Sequence, residues 1–337
     1  MINLLESLED SSKFPGSQNY LRRYEEIKEY LDVNVHPFIS LFVLKKEKIY
    51  LTKHGEEHVA KVKQIAESLI SKYNDLNLTP YEQYLLLVAI QIHDSGHIIS
   101  GRKDHEKVSK DVVRKVQEYL GTETVERKYI FDIAAAHGGK TQTGERDKIG
   151  LLKESDRLLR QEIRPRLLAA ILRLSDELSD DVHRASKFNV STLEPGSEIY
   201  HEYARVLHDV DFDSNGNSIN LKFNLSKKQV ENQYGKDGTF VFLIDEIYER
   251  VMKTYLETIY CQQFFPNSMT IHKVIAKIEF IEEESLNNFR DPISVVLSEG
   301  GYPDKSKYDI YEMCKSELVR NGEKIDGSYI KRETHNS

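Results

Sequence analysis

The amino-acid sequence predicts a mostly α-helical protein, a helical bundle followed by a small α+β unit of order ββαβ. Between about residues 51 and 188, apolar residues recur at spacings of three and four, as they do along the buried face of an amphipathic helix. After about residue 190, apolar and polar residues alternate in two stretches, which is the period of a β-strand. A turn-forming run of Ser, Asn and Gly separates these stretches and favours a hairpin.

The bulk composition indicates the class of protein. The 337 residues suggest about two domains, and 39% hydrophobic with 30% charged residues is typical of a soluble globular chain. No apolar run approaches the roughly 20 residues that span a bilayer, and the N-terminal residues lack the pattern of a signal peptide. The two cysteines, Cys261 and Cys314, are too few for a disulfide framework. We therefore expect a cytoplasmic protein without a membrane partner.

The net charge of −8 bears on the kind of partner. A protein that covers a long stretch of nucleic acid usually presents a basic face. The acidic balance therefore argues against an extended nucleic-acid partner, whereas a small nucleotide held by a few local cations remains compatible with it.

Residues 1–50 are expected to form an N-terminal helical extension. One helix is predicted from Gln18 to about Leu31, and His36-Pro37 follows as a break, because the residue before a proline disfavours helical backbone. The extension is expected either to pack on the main domain or to mediate association. Its apolar segment Phe38 to Leu44 favours association, so we expect a homo-oligomer such as a dimer.

Residues 51–190 are expected to form the main helical domain, and their buried stripes contain histidines. His58 lies one turn before Val62 on an inward stripe, and His54 lies a further turn back. His105 and His137 continue the apolar stripes of two later helices.

The stretch Ile92 to His97, with the sequence IHDSGH, organises this domain. It ends the run Leu85 to Ile90, which is apolar on every helical face and should be buried. Buried imidazole and carboxylate groups persist only when they are hydrogen-bonded, paired or bound to a metal. His93 and His97 are one helical turn apart and can face one cavity. On a later helix Asp176 takes the place of a leucine on the inward stripe.

These polar residues together indicate a metal site. A lone histidine on an apolar face is usually a core residue, but six with two aspartates are difficult to explain by packing: His54, His58, His93, Asp94, His97, His105, His137 and Asp176. Imidazole and carboxylate ligands without thiolates suit Zn, Mn, Fe, Ni or Co, and the carboxylates admit Mg. Ligands from several helices leave coordination positions open, as in sites where an ion lowers the pKa of water and polarises a phosphoryl oxygen.

The motifs and their order resemble the HD-domain superfamily of metal-dependent phosphohydrolases over about residues 50–188. The matching motifs are the His58 helix, the HDSGH stretch, and the sequence LRLSDEL around Asp176. The resemblance implies that one divalent metal is held by His58, His93, Asp94 and Asp176.

Some members of that superfamily hold two ions, and the resemblance extends to them. Asp94 would then bridge, and His105 with His137 would hold the second ion. His54 stands where a glutamate is common, and His97 stands where some members have a lysine. Both histidines, with Asp94, are therefore expected in the catalytic set. The compact second-histidine motif of many deoxynucleotide triphosphohydrolases is absent from the sequence, which weakens that assignment.

The C-terminal part is expected to contain an α+β unit over 191–290 and a polar tail over 291–337. A hairpin is predicted around Ser214 to Asn217, followed by a helix from Phe240 to Phe264 and a strand from Met269 to Ile281. This unit resembles that of a bacterial group of HD hydrolases associated with conflict and defence systems.

Three cations near the motifs are candidate substrate contacts. Lys140 follows His137 by three residues, Arg164 precedes the Asp176 helix, and Arg184 follows it by two turns. Such side chains can equally be solvated surface charges.

Several functions are compatible with these residues. The first is a metal-dependent phosphohydrolase that cleaves a phosphoester bond of a nucleotide or a similar molecule. The alternatives are a di-iron oxygenase on the same scaffold, a catalytically silent nucleotide-sensing or scaffold module in a bacterial defence system, and a single-strand nuclease, which the acidic balance disfavours.

Overall fold

The computed structural model describes residues 3–47, 52, 55–101, 105–116, 119, 123–141, 143–180, 196–282, 287–298 and 309–336. Backbone contacts divide the chain into two units. The first unit is Met1–Ser179 with Cys261–Met269, and the second is Asp180–Tyr260 with Thr270–Ser337. The boundary expected after residue 190 lies in 181–195, outside the described residues.

The first unit is mainly helical. Its helices are α1 (Tyr20–Asn34), α2 (Ile39–Glu47), α3 (Glu56–Lys72), α4 (Pro80–Ile92), α5 (His97–Ser100), α6 (His105–Lys115), α7 (Thr124–Ala135) and α8 (Pro165–Glu177). Between α7 and α8 lies a hairpin of two short strands, β1 (Asp156–Leu158) and β2 (Gln161–Ile163). The predicted fold class, mostly helical with a smaller α+β unit, is confirmed.

Helix α4 forms the centre of this unit and packs against α1, α3, α7 and α8. It begins with a capping box, in which the Thr79 side chain and the Glu82 side chain each accept a hydrogen bond from the other's backbone amide. Leu85 to Ile90 are all at most 1% exposed. A helix that is apolar on every side is stable only when other helices surround it, and this position also holds the residues that follow α4 at the centre of the unit.

The N-terminal segment belongs to the first unit. Helix α1 packs on α4, and its buried residues are Tyr20, Tyr24, Ile27 and Leu31. It ends at Asn34, just before the His36-Pro37 break, where a short 3₁₀ turn leads into α2.

The β1–β2 hairpin was not expected from the sequence. Each strand has only three residues, too few to show a period of two. Its two-residue turn is Leu159-Arg160, and both residues have positive φ, 49° and 69°. Turns of this kind usually contain Asn and Gly, so the usual sequence signal is missing.

The second unit contains a four-stranded sheet. Its elements are α9 (Glu198–Val206), β3 (Leu207–Asp213), β4 (Ser218–Leu225), α10 (Lys227–Glu231), β5 (Gln233–Lys236), β6 (Thr239–Phe242), α11 (Leu243–Gln262), β7 (Lys273–Ile281) and β8 (Asn288–Ser298). The strand order is β3-β4-β7-β8, with β4 and β7 parallel and the outer pairs antiparallel. The predicted hairpin, long helix and following strand correspond to β3–β4, α11 and β7.

The residues after 290 correct the expectation of a polar tail. Strand β8 pairs with β7, and beyond it lie α12 (Ile310–Met313), α13 (Lys315–Leu318), the short pair β9 (Val319–Arg320) and β10 (Glu323–Lys324), and α14 (Gly327–Asn336). Ile293, Val295 and Leu297 alternate inward on β8. Pro292 lies within this strand, and a proline in a sequence usually argues against a strand. It is tolerated here because β8 is an edge strand.

Among the described helices, none combines the length and the apolar character that crossing a membrane requires.

Candidate metal centre

The candidate metal centre lies where the ends of five helices of the first unit meet. Each of the six predicted ligands is within one turn of a helix end: His58 at the start of α3, His93 and Asp94 after α4, His105 at the start of α6, His137 after α7 and Asp176 at the end of α8. The apolar stripes of these helices pack on one another, so the polar residues at their ends are brought together.

The first cluster consists of His58, His93 and Asp176, whose ligand atoms all lie within 4.8 Å of one another. Nε2 of His58 lies 3.2 Å from Nε2 of His93 and 3.2 Å from Oδ1 of Asp176. Nε2 of His93 lies 3.6 Å from the same oxygen. Both imidazoles are at most 1% exposed, whereas the Asp176 side chain is 24% exposed, so the cluster is accessible to solvent on the side of Asp176.

Asp94 divides its two carboxylate oxygens between this cluster and a second one. Oδ2 lies 3.3 Å from Nε2 of His58 and 3.5 Å from Nε2 of His93. Oδ1 lies 3.3 Å from Nε2 of His105 and 3.6 Å from Nε2 of His137. Asp94, His105 and His137 form the second group of ligand atoms within 4.8 Å of one another. This is the geometry of a carboxylate between two adjacent cation positions.

The spacing of the ligand atoms fits divalent ions. Two ligands that bind an ion at about 2.1 Å, at tetrahedral or octahedral angles, lie roughly 3.0–3.4 Å apart. Nitrogen and oxygen atoms within the two clusters are separated by 3.2 to 3.6 Å. Clusters of His and Asp with this spacing could each hold a divalent metal ion.

Hydrogen bonds to backbone carbonyl groups orient two of the imidazoles. Nδ1 of His93 lies 2.8 Å from the carbonyl oxygen of Ile90, and Nδ1 of His137 lies 2.6 Å from that of Ala134. A carbonyl oxygen only accepts, so Nδ1 donates the proton and Nε2 of a neutral ring keeps its lone pair. The Nε2 atoms point into the clusters, where their lone pairs could bind a divalent metal ion.

The pKa values of the two aspartates are set by the histidines around them. Burial disfavours the charged form of Asp94, but the charge of His93 and hydrogen bonds from neighbouring imidazoles outweigh burial and hold its pKa well below the usual range. Burial raises the pKa of the half-buried Asp176 as well, but hydrogen bonds from His58 and His93 outweigh it and hold this pKa well below the usual range. Both carboxylates are therefore ionised at neutral pH.

The imidazole pKa values shift in opposite directions. Burial alone would lower the pKa of His93, but the charge of Asp94 and the contact with Asp176 outweigh it and raise this pKa to about 9. Burial, with the charges of His93 and His105, lowers the pKa of His137 to about 3. A proton on His93 therefore supplies positive charge to the first cluster, and a metal ion held by Nε2 of His93 would take the place of that proton.

His97 lies at the edge of the second cluster. Its Nε2 is 3.6 Å from Oδ1 of Asp94, and its Nδ1 is 2.9 Å from the carbonyl oxygen of Gly101. Its ring stacks on that of His105, with the ring centroids 3.9 Å apart. Nε2 is thus held at the cluster, where it can act as a ligand or exchange a proton with a bound molecule.

Two glycines allow this close approach. A Cβ on Gly96 would lie 1.8 Å from the carbonyl oxygen of His105, so α6 can start beside the His-Asp doublet only because residue 96 has no side chain. Gly139 has a φ of +75°, and a Cβ there would lie 1.9 Å from a carboxylate oxygen of Glu106.

Glu106 and Lys148 were missed by the sequence interpretation. Oε2 of Glu106 lies 3.8 Å from Nδ1 of His105, and Oε1 lies 3.6 Å from Nζ of Lys148. Burial lowers the pKa of Lys148, although the charge of Glu106 opposes the shift. Adjacency to His105 was a weak signal for Glu106. Lys148 lies in a loop without periodicity, so nothing in the sequence places it here.

Ser179 is a third residue that the sequence interpretation missed. Its buried Oγ donates a hydrogen bond to the carbonyl oxygen of Asp176 at 2.7 Å and lies 3.2 Å from Nδ1 of His58. With its own proton donated to the carbonyl group, the hydroxyl oxygen can accept from Nδ1–H of His58. This bond directs Nε2 of His58 at the first cluster. The only sequence signal for Ser179 was its position three residues after Asp176.

Ser179→Ala is expected to weaken metal binding by about 10- to 100-fold, the usual effect of losing a hydrogen bond behind a ligand. The measurement is a metal titration of the chelator-treated protein. Ser175→Ala is the matched control, because Ser175 is buried in the last turn of α8, four residues before Ser179, and its Oγ has no hydrogen-bond partner among the described residues. Equal metal affinities of the two variants would refute this role of Ser179.

The remaining predicted site residues have different positions. Arg164 is corrected from a substrate contact to a structural residue, because its guanidinium donates to both carboxylate oxygens of Glu82 and to the carbonyl oxygens of Leu76 and Asn77. Lys140 is exposed, three residues after His137. His54 and Arg184 lie outside the described residues.

Comparison with known proteins agrees with this geometry. The model of the HD-CE family matches residues 48–253, more than half of the chain, and that range contains both clusters. No curated protein gave a significant match. An HD-type domain with His and Asp clusters of this kind is characteristic of a metal-dependent enzyme. On the extent of the match, the chain belongs to the HD-CE family.

Proposed function

We propose that this protein is a metal-dependent phosphohydrolase that cleaves a phosphoester bond of a nucleotide or a nucleotide-like molecule. The observation that supports this most is the division of the Asp94 carboxylate between two imidazole clusters, with Oδ2 facing His58 and Oδ1 facing His105. Two adjacent cations can hold the attacking and the leaving oxygen of an in-line displacement at phosphorus.

In this proposal each cluster holds one divalent ion. His58, His93, Asp94 and Asp176 would bind the first, and Asp94, His105 and His137 the second. Divalent ions supply a Lewis acid that lowers the pKa of water and withdraws charge from phosphoryl oxygens. The fixed imidazoles and carboxylates hold this charge in place before the substrate arrives.

His97 is proposed to move a proton during the reaction. Its Nδ1 is committed to the carbonyl oxygen of Gly101, so Nε2 is the atom available to protonate the leaving oxygen. His54 is the alternative proton donor from sequence order alone.

Lys140 is proposed to contact a phosphate of the substrate. Lys140→Ala is expected to raise KM roughly tenfold with little change in kcat, because a hydrogen bond to a charged group contributes about 1.5 kcal/mol. The measurement is steady-state kinetics at saturating metal. Lys110→Ala, which removes an exposed lysine on α6, is the control. A fall in kcat with unchanged KM would contradict this role.

The test of the function itself is a metal and substrate screen. The purified protein is analysed for bound metal, and nucleotides and cyclic nucleotides are then assayed with and without added Mn. Metal-dependent release of phosphate or nucleoside is the expected result. Full metal occupancy without turnover of any phosphoester would favour the silent module, and iron content with oxygen-dependent turnover would favour the oxygenase.

We further propose that the protein acts in a bacterial conflict or defence system, which rests on the resemblance of the C-terminal α+β unit. The expected result is that a bacterium producing the protein resists phage, and that the Asp94→Ala variant does not protect it. Equal phage sensitivity with and without the protein would count against this setting.

A further inference from the structure

A cavity of about 390 Å³ lies in the first unit, away from the metal centre. Its lining residues include Gln18, Arg23, Glu123, Leu159 and Arg160. Small-molecule sites usually have volumes of 300–1,000 Å³ and a few convergent polar groups. The size and the polar lining therefore suit a compact, charged ligand.

The β1–β2 turn places Arg160 at this cavity at a conformational cost. Leu159 and Arg160 both adopt positive φ, 49° and 69°, in a two-residue turn where Asn-Gly would be unstrained. Residues held in this region of backbone space often lie at ligand sites, where the surrounding structure maintains the strain. Here both strained residues line the same cavity.

Arg23 is held in place on another wall. Its guanidinium carbon lies 4.7 Å from the centroid of the Tyr20 ring, and it donates to the side chain of Gln18. Nη1 of Arg23 lies 3.8 Å from Oε1 of the buried Glu126. These contacts hold the planar guanidinium in one orientation, so little side-chain entropy is lost when it binds a ligand.

The cavity and the metal centre lie at opposite ends of two helices. Glu123 immediately precedes α7, and His137 follows the other end of that helix, about 18 Å or more away at 1.5 Å per residue. Tyr81, whose ring packs edge-on against Tyr20, is in the first turn of α4, and His93 follows the last residue of α4 at a similar distance. The cavity is thus separate from the metal centre.

We propose that this cavity binds a small phosphate ester that carries hydroxyl groups. The guanidinium groups of Arg23 and Arg160 would hold the phosphate, because their paired N–H donors match phosphate oxygens. The carboxylate of Glu123 would accept hydrogen bonds from the hydroxyl groups. The positive end of the α7 dipole, which begins beside Glu123, favours an anion at this place.

The test measures binding by calorimetry with three probes: inorganic phosphate, ribose 5-phosphate and AMP. Ribose 5-phosphate and AMP are expected to bind at least roughly tenfold more tightly than inorganic phosphate, because they add contacts with Glu123. Equal binding of these two identifies a sugar phosphate as sufficient, and tighter binding of AMP identifies a nucleotide. The Asp94→Ala variant should still bind ribose 5-phosphate with the affinity of the cavity, because the cavity is separate from the metal centre.

Two variants test the wall of the cavity. Arg160→Ala is expected to weaken binding of ribose 5-phosphate at least about tenfold. Leu159→Asn/Arg160→Gly should lose binding while the melting temperature rises by roughly 2 to 4 °C, because the backbone strain is removed. Arg157→Ala, an exposed arginine on β1, is the control and should bind normally.

Two results would overturn the proposal. One is the absence of binding of all three probes to the wild-type protein. The other is binding that disappears in Asp94→Ala but persists in both turn variants, which would place the ligand at the metal centre. Neither result would contradict the proposed hydrolase, and a failed hydrolase screen would leave the binding measured at the cavity unaffected.

Discussion

Asp94→Ala is expected to release the ions of both clusters and to abolish activity. Its carboxylate is the one group among the described residues that lies within 3.6 Å of imidazoles from both clusters. Loss of a residue behind a ligand weakens metal binding by about 10- to 100-fold, so loss of a ligand shared by two ions should exceed that range. The measurement is metal content per chain by mass spectrometry after gel filtration.

A variant that lacks a ligand of one cluster only tests whether Asp94 is shared by both clusters. His137→Ala removes a ligand of the second cluster only and should lower the metal content without emptying the first cluster. Asp111→Ala is the charge-matched control, because Asp111 pairs with Arg114 on the exposed face of α6. Full metal content in Asp94→Ala, in a protein with wild-type circular dichroism, would show that Asp94 is not a shared ligand.

Arg164→Ala is expected to produce the largest loss of stability among substitutions of charged residues considered above. Glu82 is 1% exposed, and the Arg164 guanidinium contacts both of its carboxylate oxygens, two of the contacts at 2.8 Å. Removing one partner of a fully buried pair costs about 3–5 kcal/mol, and the cost here should lie at the lower end of that range because Arg164 is 32% exposed and Glu82 keeps hydrogen bonds from two backbone amides. The melting temperature should fall by roughly 6 to 12 °C, as measured by calorimetry on the metal-loaded protein.

A second substitution separates the charge effect from a general defect. Arg164→Ala/Glu82→Gln should recover much of the lost stability, because glutamine can keep the capping hydrogen bond of α4 without a charge. Arg157→Ala should leave the melting temperature within about 2 °C of wild type. A raised KM with an unchanged melting temperature in Arg164→Ala would contradict the structural role and would support a contact between Arg164 and the substrate.

Much of the candidate site could be predicted from the sequence, for a physical reason. His58, the His93-Asp94 doublet and Asp176 interrupt apolar stripes, and a polar residue on such a stripe is unfavourable unless it has a partner. Because helical periodicity shows which residues face inward, these inward polar residues could be predicted from the sequence alone. Imidazoles and carboxylates are all metal ligands, so the residues could also be grouped into one candidate site.

Other parts of the site left no comparable signal. Ser179 and Glu106 each contact a histidine of the site from behind, at positions where serine and glutamate are ordinary. Arg164 carries the same charge whether it binds substrate or Glu82, so the sequence could not separate these roles. Strand β8 alternates correctly, but Pro292 within it is acceptable only because one edge of the strand is unpaired in the four-stranded sheet.

The sequence by itself determined that the chain is mostly helical and which histidines and aspartates point into its core, because burial of apolar residues imposes a period that can be read locally. The resemblance of the motifs implied two groups of ligands, and only the tertiary structure decided how the two oxygens of Asp94 are divided between them, with each oxygen facing a different pair of imidazoles. That division depends on where α3, α6, α7 and α8 end around α4. Helix packing sets these positions through contacts between residues far apart in the chain, which no local pattern encodes.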